Sequence, residues 1–193
     1  MPAAVVPKAG LALGPGYLLW APLGTAIPTN TVVGSVFTDA WSAPWALIGI
    51  TDAGSTFSYQ LNTGEVDAEE YLDPLLYVST GRSQGIAFAM ANISATNFKL
   101  AVNGGVVTVT GATTTTLSKL APPALGAEVR IMLGWESTDA TERFIGYQAF
   151  QTGQVQTARR KGTAKATIPV DYRLEQPASG DPWNYYTAGV VRA

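Results

Sequence analysis

Apolar and polar residues alternate with a period of two along much of this chain, the signature of strands with one buried face. Phe57, Tyr59 and Leu61 share a face opposite Ser58, Gln60 and Asn62. Ile86, Phe88 and Met90 stand back to back with Ala87, Ala89 and Ala91, and that small-residue side predicts the close approach of another element. Val129, Ile131, Leu133 and Trp135 alternate with Glu128, Arg130, Met132 and Gly134. The longest run places Ala164, Ala166, Ile168, Val170, Tyr172 and Leu174 on one side. Pro169 lies inside it and donates no amide hydrogen, which predicts an edge or a bend there. Tyr17 to Trp20 and Val32 to Phe37 read as short strands, Leu75 to Thr80 as a further one, and Thr113 to Thr116 as a strand start or ordered loop.

One segment has a helical pattern. Ser94 can cap it, Ala95, Phe98, Ala101 and Val102 give it an apolar side, and Gly104 can close it. It is short and holds the weak formers Thr96 and Asn97, so packing against a sheet must sustain it. These elements predict a mainly β, antiparallel sandwich or barrel with one short flanking α-helix, in a single domain over residues 1–193. Residues 1–16, broken by Gly and Pro, read as a flexible arm, and residues 62–73 as an acidic inter-strand loop.

Composition narrows the chemistry. A chain of 193 residues buries enough surface to fold without staples. There is no Cys and no His, which removes disulfides, thiolate catalysis, the Ser–His–Asp triad and the commonest zinc ligands. Hydrophobic residues make up 47% and charged residues 13%, a dry surface that subunit contacts would explain. The charge is uneven: residues 1–75 hold one base against seven acids, while the remaining bases outnumber the remaining acids by four. That polarity suits head-to-tail contact between copies. The apolar N-terminus lacks the basic start and unbroken core of an export signal, and no apolar run is long enough to span a membrane, so folding in the cytoplasm of the producing cell is expected.

The acids Glu65, Asp67, Glu69, Glu70 and Asp73 are the one cluster able to supply a carboxylate pair for glycoside hydrolysis, but a solvated or interfacial connector is the simpler reading. Arg159, Arg160, Lys161 and Lys165 form the one basic run; without interleaved aromatics it is a weak nucleic-acid signal. It suits contact with the acidic loop of the next copy. Trp20, Trp41, Trp45, Trp135, Trp183, Tyr185 and Tyr186 fit a sugar-stacking platform or, more simply, core plugs and interface anchors. No nucleotide-binding or metalloprotease motif is present. The reading is of a non-enzyme without catalytic residues, cofactor or metal.

Trp45, then Gly49-Ile50-Thr51-Asp52, then Gly54 and Thr56-Phe57-Ser58 resembles the core motif of the major tail tube proteins of long-tailed bacteriophages, of the actinobacteriophage type. The PLGTAIPT segment and the PWNYYTAG tail are similar to that family's opening and closing segments. The resemblance implies a structural role for Trp45, Gly49, Gly54 and Phe57. It also implies strands that join between subunits, hexameric rings stacked through the acidic loop, and a hollow tube conducting DNA without specific binding. Partners would be other copies, a tape measure protein, a tail terminator and a distal tail protein, in a virion assembled in the bacterial cytoplasm. The strands at 55–62, 75–80, 129–135 and 144–151 are expected to line the lumen or ring, with Arg130 and Arg143 the residues most at odds with that placement. An inner-tube protein of a contractile secretion system and a carbohydrate-binding module remain the alternatives.

Overall fold

A computed structural model describes residues 15–67, 73–112, 115–157, 159 and 165–189. Seven strands form one antiparallel path: Ala46–Leu47 (β4), Gly16–Pro22 (β1), Ile131–Ser137 (β9), Glu142–Gln151 (β10), Ile168–Leu174 (β11), Leu76–Met90 (β6) and Thr51–Val66 (β5), in that spatial order. An eighth, Trp183–Thr187 (β12), also pairs with β10. The sheet forks at β10: Glu142 to Gly146 lie against β12, and after a register shift Ala149 to Gln151 lie against β11. Val32–Val33 (β2) with Val36–Phe37 (β3), and Val106–Ala112 (β7) with Thr115–Ala121 (β8), make two separate hairpins. The fold is thus mainly β and sandwich-like, as the alternation predicts, and PWNYYTAG supplies the closing strand.

β1, β9 and β10 are covered on both faces. Leu18, Leu133 and Phe144 point into a first core with Ile86, Phe88 and Met90 of β6, Ile168, Val170, Tyr172 and Leu174 of β11, and Leu100 and Ala101 of the helix. Their alternate neighbours Leu19, Met132 and Ile145 enter a second core with Ala21 and Trp45, flanked by Ile27, Trp41, Tyr147 and Tyr186. The sheet therefore curls so that β6 and β11 pack across one face, while the irregular stretch from residue 23 to 45 covers the other. Burial on both sides explains why Ile131 to Gly134 are all enclosed despite the expected alternation.

A buried cation ties that irregular stretch down. Arg143 is 1% exposed and donates from Nε to Glu136 (2.6 Å) and from one terminal nitrogen to Asp39 (3.1 Å) and Asn30 (3.3 Å). Its other terminal nitrogen donates to the Asp39 carbonyl, and its guanidinium lies 4.6 Å from the centre of the Phe37 ring. Asp39 in turn accepts from the amides of Asn30 and Thr31. Each charged and polar group of this cluster is answered by another, the condition under which a buried charge is tolerated.

Ala95–Ala101 (α1) is the one helix among the described residues, with the Ser94 hydroxyl accepting from the Asn97 amide. Its buried side includes Asn97, expected to be a mere weak former. The Asn97 side chain donates to the carbonyls of Ile48 (3.2 Å) and Asn92 (2.7 Å), so a polar residue anchors the helix to the chain entering β5. From β11, the Tyr172 hydroxyl donates to the Leu100 carbonyl at 2.8 Å.

Several expectations need correction. Val32 to Phe37 is not one strand but a hairpin, turned at Gly34 (φ 60°) and Ser35 (φ 69°). Leu76 to Thr80 and Ile86 to Met90 belong to one strand, β6, which Leu75 precedes. Val129 precedes β9, and residues 165–167 precede β11, so both runs begin later than their patterns suggest. Pro169 pairs with Ala89 of β6, and β10 reaches β11 only from Tyr172 onward, so Pro169 occupies a locally open edge. Gly16 opens β1 rather than closing an arm, and residues 1–14 of that arm lie outside the described residues.

Candidate assembly interface

The sequence motif from Trp45 to Ser58 builds the entry to a long two-stranded arm. Trp45 is buried against Trp41, their ring centroids 4.7 Å apart, and its indole donates to the Ala26 carbonyl. Gly49 turns the chain at φ 100°. Ala53 (φ 58°) and Gly54 (φ 78°) then form a bulge between Asp52 and Ser55, two left-handed residues that re-aim β5. Beyond the bulge, β5 pairs with β6 from Ser55↔Phe88 to Val66↔Leu76. Phe57 lands against Phe144 and Trp183, each ring centroid 5.2 Å away.

Past Phe57 the arm outruns the core. The whole of β5 is sixteen residues, and the part past Phe57, Ser58 to Val66, spans about 30 Å at a strand's rise. Tyr59 is 49% exposed, Leu61 48% and Tyr77 62%, and by the pairing register all three continue the Phe57 face. Val66, Leu76 and Val78, also exposed, share the reverse face. β5 ends the sheet, so its outer edge meets no strand among the described residues. By contrast, Ile131 to Leu133 and Phe144 to Ile145 are enclosed on both faces within the chain. Arg143 is likewise internal. Arg130 remains near the surface and is paired with Glu175 at 2.7 Å.

The acidic loop shifts. Residues 62–66 belong to β5, with Glu65 opposite Tyr77, so the connector begins at Asp67, and Asp73 precedes β6. Glu69 and Glu70 lie outside the described residues, as do Arg160 and Lys161. Arg159 is exposed, and Lys165 approaches Asp52, at the base of its own chain's arm, to 3.3 Å. The described bases and acids are therefore not gathered into one site within the chain.

The aromatics divide between the two cores. Trp20, Trp135 and Trp183 flank the first, and Trp41, Trp45 and Tyr186 belong to the second, so they make no shared exposed platform. A half-open cleft of about 430 Å³ does remain beside the arm, lined by Ser55, Phe57, Ile86, Trp135, Phe144, Trp183 and Tyr185. Partial burial, and then the adjacent Glu142 carboxylate, pushes the Tyr185 phenol up to about 12. It stays neutral at physiological pH. The platform weighed from the sequence included Trp135, Trp183 and Tyr185 but not Phe57 or Phe144, which join them from strands far apart in the chain.

The family model described as phage tail tube protein matches residues 4–185. No curated protein matches the chain. Among solved structures, it is similar to a chain of the six-fold symmetrised cryo-EM structure of the anti-feeding prophage baseplate, with 5% identity and a TM-score of 0.46, covering 93% of this chain and 97% of that one. The family match runs through both cores and the whole arm, and this chain belongs to the phage tail tube protein family.

Proposed function

We propose that the chain is the repeating subunit of a long-tailed phage's tail tube, copies of which close into six-membered rings that stack into a hollow conduit for the genome. The observation that carries this is the β5–β6 arm. Its outer edge meets no strand among the described residues, and both faces expose apolar residues beyond the core. In isolation such an edge templates aggregation; strand pairing between copies removes it, and ring closure leaves none open. The arm then supplies the ring and lumen surface that β9 and β10 do not. Genomic DNA passes through without specific binding, because clustered Lys and Arg on the lumen would hold phosphates. The tape measure, tail terminator and distal tail proteins are the partners at the tube's contents and ends, and assembly takes place in the host cytoplasm. Negative-stain microscopy of the purified chain over rising concentration should show rings or tubes. A monodisperse monomer at high concentration would overturn the reading.

Stacking is assigned to the arm tip, with Glu65, Asp67, Glu69, Glu70 and Asp73 meeting Arg159, Arg160, Lys161 and Lys165 of the next ring. Lys165 also has an acid, Asp52, within its own chain. Exposed pairs are worth about 0–1 kcal/mol each, enough to set register rather than to hold the tube. Charge reversal at Arg159–Lys161 should shorten tubes into free rings, and reversal at Glu65–Glu70 should restore them. Tubes unaffected by the first change would refute the pairing.

A further inference from the structure

A cleft of about 520 Å³, distinct from the aromatic one, lies between the helix and the strand ends beside it. Trp20 and Pro22 of β1, Val129 and Ile131 where β9 begins, and Lys99 and Leu100 of α1 line it. Its place follows from the pairing. Pro22 lies opposite Ile131, Ile131 opposite Ala149, Gln151 opposite Tyr172, and both Ile168 and Thr51 opposite Met90. These strand ends all face the way of the arm's root, and Asn103, just past the helix, is bonded to the backbone of Gln151 there. The arm runs the other way, to Val66 opposite Leu76. Cleft and arm tip therefore lie toward opposite ends along the strands, the placement that a head-to-tail contact between copies requires.

The two ends match in chemistry. At the tip, Val66 and Leu76 are exposed and, being paired directly, share a face. Near them in the chain stand the acids Glu65, Asp67 and Asp73, none of which has an ion-pair partner among the described residues. In the cleft, Leu100 and Ile131 are buried while Val129 stays half-exposed at its mouth. Arg130 is already held by Glu175 at 2.7 Å, and Glu128 adds a second acid near it. Lys99, in the helix's last turn, has no acid partner among the described residues. Resting on the stacking of rings described above, we propose that this cleft receives the arm tip of a copy in the adjacent ring. Val66 and Leu76 then seat against Trp20, Val129 and Ile131, and Lys99 is answered by Asp67 or Asp73. The apolar contact holds the tip, and the charge pair fixes its orientation. Lys165 lies toward the same end, 3.3 Å from Asp52 at the arm's root, so it stands on the side that the arriving tip approaches.

The absence of cysteine makes the test direct. The full-length double variant Val66→Cys/Val129→Cys is assembled under conditions in which the parent chain forms tubes by negative stain, oxidised mildly, dissociated and resolved by non-reducing electrophoresis. Each chain carries one tip and one cleft, so a head-to-tail contact links dimers, trimers and longer species, and peptide mass should place the disulfide between positions 66 and 129. Leu76→Cys/Val129→Cys reads the same contact should a cysteine at Val66 prevent assembly. The control is Val66→Cys/Ser42→Cys: Ser42 is exposed and follows Trp41, which bonds to Glu136 at the far end of β9. A ladder at several times the control's yield is the expected result. Tubes without a ladder, equal yields at Val129 and Ser42, or a disulfide closed within one chain would overturn the cleft as the tip's receptor while leaving the tube reading in place. Failure of the parent chain to form tubes would overturn that reading, and this site with it.

Discussion

Arg143 shows how one side chain can organise a segment that has almost no regular structure. Its guanidinium meets Glu136 on a strand and Asp39 and Asn30 on the irregular stretch. Removing it leaves two carboxylates facing each other with little solvent. Arg143→Met is expected to cost about 3–5 kcal/mol in urea denaturation, as for a broken buried pair. Arg143→Lys should recover only part of that, because an ammonium lacks the planar fork these three directions require. The same cluster gives an acid dependence. Burial alone would push the Asp39 carboxyl up, but the backbone amides and Arg143 hold it below its ordinary value near 3.8. A carboxyl depressed in the folded state stabilises the fold above its unfolded value and loses that contribution as pH falls through the folded one. The urea midpoint should therefore drop as pH is lowered below about 4. Asp39→Asn should lower the midpoint at neutral pH and flatten that drop; an unchanged pH profile would remove Asp39 from the account.

At the scale of elements, the helix depends on one polar contact more than on its own propensity. Asn97→Ala withdraws the donor for the Ile48 and Asn92 carbonyls, at a cost of about 1–3 kcal/mol. The amides of Ala95–Ala101 should then exchange faster with solvent than those of β9. Gly54→Val places a branched residue at φ 78° and should cost about 1–2 kcal/mol in the same denaturation assay while disturbing the bulge. These elements also show what the sequence makes legible. The alternations at Ile86–Met90 and Ile168–Leu174 could be read directly because each has one core face, and the pattern is local. Where a strand has two like faces, the pattern fails in both directions. Ile131 to Gly134 are buried on both sides, while Asn62 to Val66 are largely exposed on both, so the first seemed to alternate and the second read as a loop. The Val32–Phe37 hairpin was hidden because its turn uses a left-handed Ser35, a conformation that residue identity does not signal. Arg143 and the aromatic cleft were illegible for another reason: their parts meet only through the topology, from positions more than a hundred residues apart.

For the molecule as a whole, folding and assembly draw on different residues, and that separation can be tested. The first core ends where β5 passes Phe57, so Tyr59 and Leu61 add little to the stability of a single copy while presenting apolar surface to whatever lies alongside. Substitutions at exposed positions away from special geometry usually change stability by no more than about 0.5 kcal/mol. Tyr59→Asp/Leu61→Asp should accordingly leave the urea midpoint of the isolated subunit close to that of the parent chain. The same pair places two carboxylates on the face that a neighbouring copy must cover, and burying unpaired charge there costs far more than the apolar contact it replaces. Sedimentation and negative-stain microscopy should show the variant folded but without rings or tubes under conditions where the parent assembles. Rings that form normally would exclude this face of the arm as a subunit contact. A variant that unfolds would instead show that Tyr59 and Leu61 support the single chain, so the two measurements together decide which surface the fold keeps for itself and which it leaves for its neighbours.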